Sequence, residues 1–214
     1  MLKDEIKDAL RKKDFVSVAR RAEENRKVFS ILISLAYDKD DVLCWRAIEA
    51  IGKAAGAVVD GDPAGVRTIV QRLLWSMRDE AGGIGWSSPE MLGEIVRSAP
   101  GPFRDIPSII LSFQEEEMFL GGILWAVGRM ADAGIVLDGD ATELVIRCLD
   151  HEDPQVRGLA VVAASQMRAE RGNGKIAAMT ADGGRTRIYG DHELQETTVG
   201  ALAAGVLRQF HEGV

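Results

Sequence analysis

The stretch Leu144–Met167, LVIRCLDHEDPQVRGLAVVAASQM, decides how the chain folds. An apolar run at helical spacing ends in a short acidic turn, Asp150, Glu152 and Asp153. A second run follows with Leu159, Ala160, Ala163 and Ala164 at the same spacing. The acids sit where they can accept hydrogen bonds from the exposed first amides of the second helix. The stretch is therefore two helices joined by a tight capped turn.

The same pattern occurs upstream. ILISLAYDKDDVLCWRAIEAIGKA begins at Ile31 and PSIILSFQEEEMFLGGILWAVGRM at Pro107, with acidic turns at Asp38, Lys39, Asp40 and at Glu115, Glu116. Pro107 follows Ile31 by 76 positions and Leu144 follows Pro107 by 37, so one more unit belongs in between. It is present in altered form: QRLLWSMRDE (71–80) ends one helix, PEMLGEIV (89–96) starts the next, and AGGIGWSS (81–88) is inserted between them. The small residues Gly52, Gly121, Gly122 and Gly128 fall on the faces that meet neighbouring helices, where they permit close approach.

These units resemble HEAT-like repeats of the bilin-lyase type, on the strength of Asp153, Val156, Arg157, Ala160 and Ala163 in DPQVRGLAVVAA. The first unit departs from that pattern, with Cys44 and Trp45 where Val-Arg is expected and Arg46 one position later. WSMRDEAGGIGWSSPE also resembles a segment of uncharacterised bacterial proteins built from such repeats. The resemblance spans residues 14 to 168 and implies an all-α superhelical solenoid of the HEAT/armadillo kind. Its inner curve would be lined by the second helix of each pair, within residues 63–80, 103–115 and 139–150.

Helices are expected at 2–12, 14–24, 27–37, 41–56, 63–79, 88–98, 103–113, 116–132, 139–149 and 153–169. Residues 1–38 form N-terminal helices and 39–171 the core repeats. In 172–194, Gly183-Gly184 between two short runs reads as a β-hairpin or ordered loop. Residues 195–214 close the stack as a capping helix with Thr197 or Thr198 at its start. The whole of 1–214 is one domain.

Among 214 residues, 46% are hydrophobic and 28% charged, the composition of an ordinary globular protein. A net charge of -7 argues against nucleic acid or an anionic membrane as the main partner. The N-terminal bases, from Arg11 to Lys27, are interleaved with acids and describe a solvated helix face. Cys44 and Cys148, widely separated and in apolar contexts, read as core residues of a reducing compartment. No apolar run is long enough to span a bilayer and no leader is recognisable, so the expected location is cytoplasmic.

The glycine cluster at 82–85 follows a helix and has no lysine near it, unlike a phosphate-binding loop. It reads as a joint between repeats. Trp75 falls at a core-like helical spacing, whereas Trp86 lies in the joint itself and serves either as a plug or as an exposed anchor. Trp75, Arg78, Asp79, Glu80 and Trp86 are the candidate surface for another protein. Each histidine precedes a glutamate (His151, His192, His211), a pairing similar to that of two-iron HEAT hydroxylases, but the three pairs do not recur at equivalent repeat positions. No metal, cofactor or catalytic residue is assigned. Two alternatives follow from the repeat resemblance: a HEAT-like DNA glycosylase using Trp75, Trp86, Trp125 and Asp79, and a tetrapyrrole lyase-like accessory protein.

Overall fold

The structure is a computed structural model that describes residues 1–78 and 85–212, with backbone only for 210–212. Twelve α-helices and one two-stranded sheet account for most of the described residues. The helices are α1 (Leu2–Arg11), α2 (Phe15–Glu24), α3 (Lys27–Leu35), α4 (Val42–Val58), α5 (Pro63–Arg78) and α6 (Ser88–Ser98). After these come α7 (Ile106–Leu111), α8 (Glu117–Asp132), α9 (Gly139–Cys148), α10 (Pro154–Gln166), α11 (Asn173–Ala178) and α12 (Val199–Glu212). Strands β1 (Arg185–Gly190) and β2 (Glu193–Thr198) pair antiparallel between α11 and α12. No described helix is long and apolar enough to cross a membrane.

Local chemistry sets the helix starts. Asp41 accepts a 2.8 Å bond from the Leu43 amide at the head of α4, Asp153 does the same for Gln155 at the head of α10, and Asp14 caps α2 through Ser17. Pro89, Pro107 and Pro154 occupy first turns, where the missing N–H is no loss.

The even-numbered helices form one row, α2–α4–α6–α8–α10–α12, each packed broadly on the next. The odd-numbered helices from α3 onward flank it, each resting on an even neighbour. The row is tight because small residues face its seams. A methyl group on Gly52 of α4 would lie 2.5 Å from the Glu94 carbonyl oxygen of α6, and one on Gly93 would lie 2.6 Å from the Ala126 methyl of α8. One continuous core results, running from Ile6 and Leu10 to Ala203 and Val206. It includes both free cysteines.

The helices within 63–80, 103–115 and 139–150 are α5, α7 and α9 of the flanking layer. One expectation is corrected. The turn of the hairpin is not at Gly183-Gly184 but at Asp191-His192, whose φ angles of 50° and 63° are both left-handed, as a two-residue hairpin turn requires. Two non-glycine residues in that conformation hide the usual sequence signal. Gly184 serves close packing instead, since a Cβ there would meet Pro154 at 2.7 Å. The second strand runs on to Thr198, whose hydroxyl caps α12 by accepting from the Ala201 amide.

Candidate functional sites: an aromatic edge and a hairpin-bound polar cluster

The segment inserted between repeats begins at the end of α5. Val66, Val70, Leu73 and Met77 make the buried stripe of that helix, three and four residues apart, and Trp75 lies off it. Trp75 is therefore 68% exposed, which corrects the core position its spacing suggested. Within the last part of the insertion, Gly85–Ser87 form a single 3₁₀ turn with Gly85 and Ser87 buried and Trp86 53% exposed. The two ends are fastened together: Ser76 Oγ lies 3.0 Å from Ser88 Oγ and donates to the Leu73 carbonyl. Trp75 and Trp86 are each within two residues of that fastening.

Arg26 donates to Asp62 and Arg72 to Ser30, linking the region of α3 to that of α5. Tyr37, just beyond α3, is also exposed. Arg78 is exposed at the end of α5, whereas Asp79 and Glu80 lie outside the described residues. Trp125 is not part of this surface. It is buried, 5.6 Å from the Trp45 ring and beneath the Arg129 guanidinium.

A second cluster was missed from the sequence. The hairpin starts on α10, where Gln155 accepts from the Thr186 hydroxyl and the Arg187 amide. Its tip reaches α4: Arg46 donates to the His192 carbonyl and to Glu193, and Tyr189 donates to Glu49, which also lies 2.8 Å from His192 Nδ1. Lys13 pairs with Glu193 and holds that carboxyl below the usual range. The Tyr189 ring stacks on Trp45 at an interplanar angle of 15°, and the Phe15 ring lies 4.8 Å from that of His192. Burial, then the Glu49 charge, pushes the Tyr189 phenol upward, so it stays a donor across the ordinary pH range. One layer further in, the fully buried Glu94 accepts from Arg129 at 2.7 Å and from Arg97.

The signal for this cluster was weak but present: Arg46, Glu49, Glu90 and Glu94 are charges set into otherwise apolar helices. The described histidines lie apart. His151 pairs with Glu117 at 2.9 Å and accepts from the Asp153 amide, while His192 belongs to the hairpin tip. Among the described residues no three histidine, cysteine or acidic side chains group as metal ligands would.

No family model matches the chain. An uncharacterized protein of Archaeoglobus fulgidus is 29% identical over 104 residues, which are 48% of this chain and 54% of that protein, so the match spans about half of its length. Among solved structures, a designed armadillo repeat protein aligns over 96% of this chain and 93% of its own at 15% identity, with a TM-score of 0.48.

Proposed function

We propose that the protein is a helical-repeat adaptor that captures another protein at the edge formed by Trp75 and Trp86. The observation that carries this is the Ser76–Ser88 fastening, which holds two large exposed indoles beside the same joint. Exposed tryptophans on an ordered edge are efficient anchors, because an indole buries a large apolar area for the loss of few rotamers. The partner presents an apolar ridge to the indoles, with Arg78 available at the rim.

The hairpin covers one side of the row, which supports placing the docking site on the edge. A straight row from α4 to α10 spans three interhelical distances, about 24–30 Å. A six-residue strand reaches about 20 Å. With the Arg46 and Gln155 side chains that meet it at either end, the hairpin bridges that span and covers the side of the row it crosses. The net charge of -7 and the burial of Trp125 weigh against DNA repair as the activity.

The test compares the wild-type protein with a Trp75→Ala/Trp86→Ala variant, each immobilised and exposed to native cytosol, followed by titration of the purified pair. The adaptor reading expects a protein retained by the wild type and bound about 100-fold more weakly by the variant, whose thermal stability is nearly unchanged. Equal binding by the two removes this assignment.

A further inference from the structure

Helix α5 carries its charge unevenly. It contains Arg67, Arg72 and Arg78 and no acid, in a chain where 33 acidic residues outnumber 26 basic ones. Arg67 is already neutralised, since it pairs with Asp105 at 2.8 Å. Arg72 and Arg78 are both exposed, and among the described residues neither meets a carboxylate. Arg72 donates only to the Ser30 hydroxyl there, at 3.2 Å.

The helical phase gathers these two arginines around the indole. At about 100° per residue, Trp75 points away from the buried stripe of Val66, Val70, Leu73 and Met77, and Arg72 and Arg78 stand about 60° to either side of it. Thr68 and Gln71 complete the outward face, both exposed and uncharged. An exposed indole is thus bracketed by two guanidiniums whose countercharges no described residue supplies. Their Cα atoms are about 9 Å apart along the helix axis.

We infer that the partner captured at this edge presents an acidic amphipathic helix, laid along α5 with an apolar side chain on Trp75 and a carboxylate on each of Arg72 and Arg78. This rests on the adaptor reading and adds the chemistry of the partner. Glutamates three or four residues before and after a leucine share its face of a helix and span about 9–12 Å, the spacing of the two arginines. Arginine suits the role because its planar fork can grip a carboxylate with two parallel hydrogen bonds. A continuous polyanion such as nucleic acid fits less well, with the chain at -7 overall and Asp79 and Glu80 directly following Arg78 in the sequence.

The probe is a capped peptide of three copies of the heptad Leu-Ala-Gln-Glu-Ala-Ala-Gln, titrated into the full-length ¹⁵N-labelled protein. Its counterpart carries lysine in place of each glutamate. The glutamate peptide moves the Trp75 indole N–H and the Nε–H of Arg72 and Arg78 saturably, and its affinity declines as salt is raised. The lysine peptide binds at least about tenfold more weakly, as does the glutamate peptide to the exposed-surface variant Arg72→Gln/Arg78→Gln. Equal affinity for the two peptides, a double variant that binds like the wild type, tighter binding of an oligothymidylate dodecamer than of the glutamate peptide, or no saturable response to that peptide, each overturns the acidic-helix assignment. The adaptor reading is decided separately, by whether Trp75→Ala/Trp86→Ala loses the partner that native cytosol supplies.

Discussion

The phenol of Tyr189 donates a 2.8 Å hydrogen bond to Glu49 Oε2, a carboxylate 140 positions earlier in the chain. That contact, with the 2.8 Å approach of His192 to the same oxygen, joins the hairpin near the C-terminus to the second helix of the row. Removing the hydroxyl while keeping the ring, Tyr189→Phe, deletes one bond and leaves His192 on the carboxylate, so the expected loss is about 1–2 kcal/mol. Glu49→Ala leaves both donors and the nearby Arg46 less well compensated, and about 2–4 kcal/mol is expected. Denaturant midpoints measure both. The hairpin amides should also exchange hydrogen faster in Glu49→Ala than in Tyr189→Phe; identical exchange in the two would show that the tip is held by other contacts.

Stability should fall on the alkaline side through Cys44. Burial, followed by the neighbouring Glu90 charge, raises its thiol from 9.0 to about 12. In the unfolded chain the thiol ionises near the ordinary value, so above about pH 9 the unfolded state sheds a proton that the folded state retains. The contribution of the neutral buried thiol is thus complete below pH 9.0 and is lost progressively as the pH climbs toward 12. Unfolding curves of wild type and Cys44→Ala should differ by a constant amount up to about pH 8.5 and converge above it. At neutral pH, a thiol reagent should leave both Cys44 and Cys148 unmodified until denaturant is added.

Gly52 and Gly174 should respond oppositely to alanine. At Gly52 the added methyl would sit 2.5 Å from the Glu94 carbonyl oxygen, which belongs to the backbone of a packed helix and has no free direction in which to move. Forcing α4 and α6 apart costs about 1–3 kcal/mol and outweighs a helix-propensity gain of about 1 kcal/mol. Nothing lies within 4 Å of a Cβ at Gly174, in α11, so that substitution keeps the propensity gain and raises the melting temperature. A stabilised Gly52→Ala would show that the row is looser than its geometry indicates.

The repeats were legible because their cause is local: an acidic turn or an apolar stripe with small seam residues marks each unit. Asp153 caps α10 as its position foretold, while α4 is capped by Asp41, one residue past the acids Asp38 and Asp40, and Glu116 at the head of α8 makes no side-chain cap bond. The hairpin was only half legible. Its turn rests on Asp191 and His192, which take left-handed angles with the His192 carbonyl and ring held by α4, a contact across more than 140 residues. The polar cluster was hidden for the same reason. Glu49, Glu94 and Arg129 look like stray charges until packing brings each opposite its partner. Of the aromatic edge, Trp86 was recognised as a residue of the joint, but Trp75 was drawn toward the core by its apolar neighbours. Only the phase of the Val66–Val70–Leu73–Met77 stripe puts it outside.

That division among the tryptophans leads to a direct comparison. Trp125 is buried against Trp45 and carries the Arg129 guanidinium 5.3 Å above its ring, while Arg129 in turn neutralises the buried Glu94. Trp125→Ala therefore opens a cavity in the seam of α8 and loosens the ion pair beside it, with an expected loss of about 3–5 kcal/mol. Trp75, more than two-thirds exposed on the flanking layer, has little to lose: Trp75→Ala should stay within about 0.5 kcal/mol of wild type. Urea unfolding followed by circular dichroism, which does not depend on the deleted fluorophore, measures both values. If Trp75→Ala proves as damaging as Trp125→Ala, the indole supports the fold, and the aromatic edge loses its standing as a docking surface.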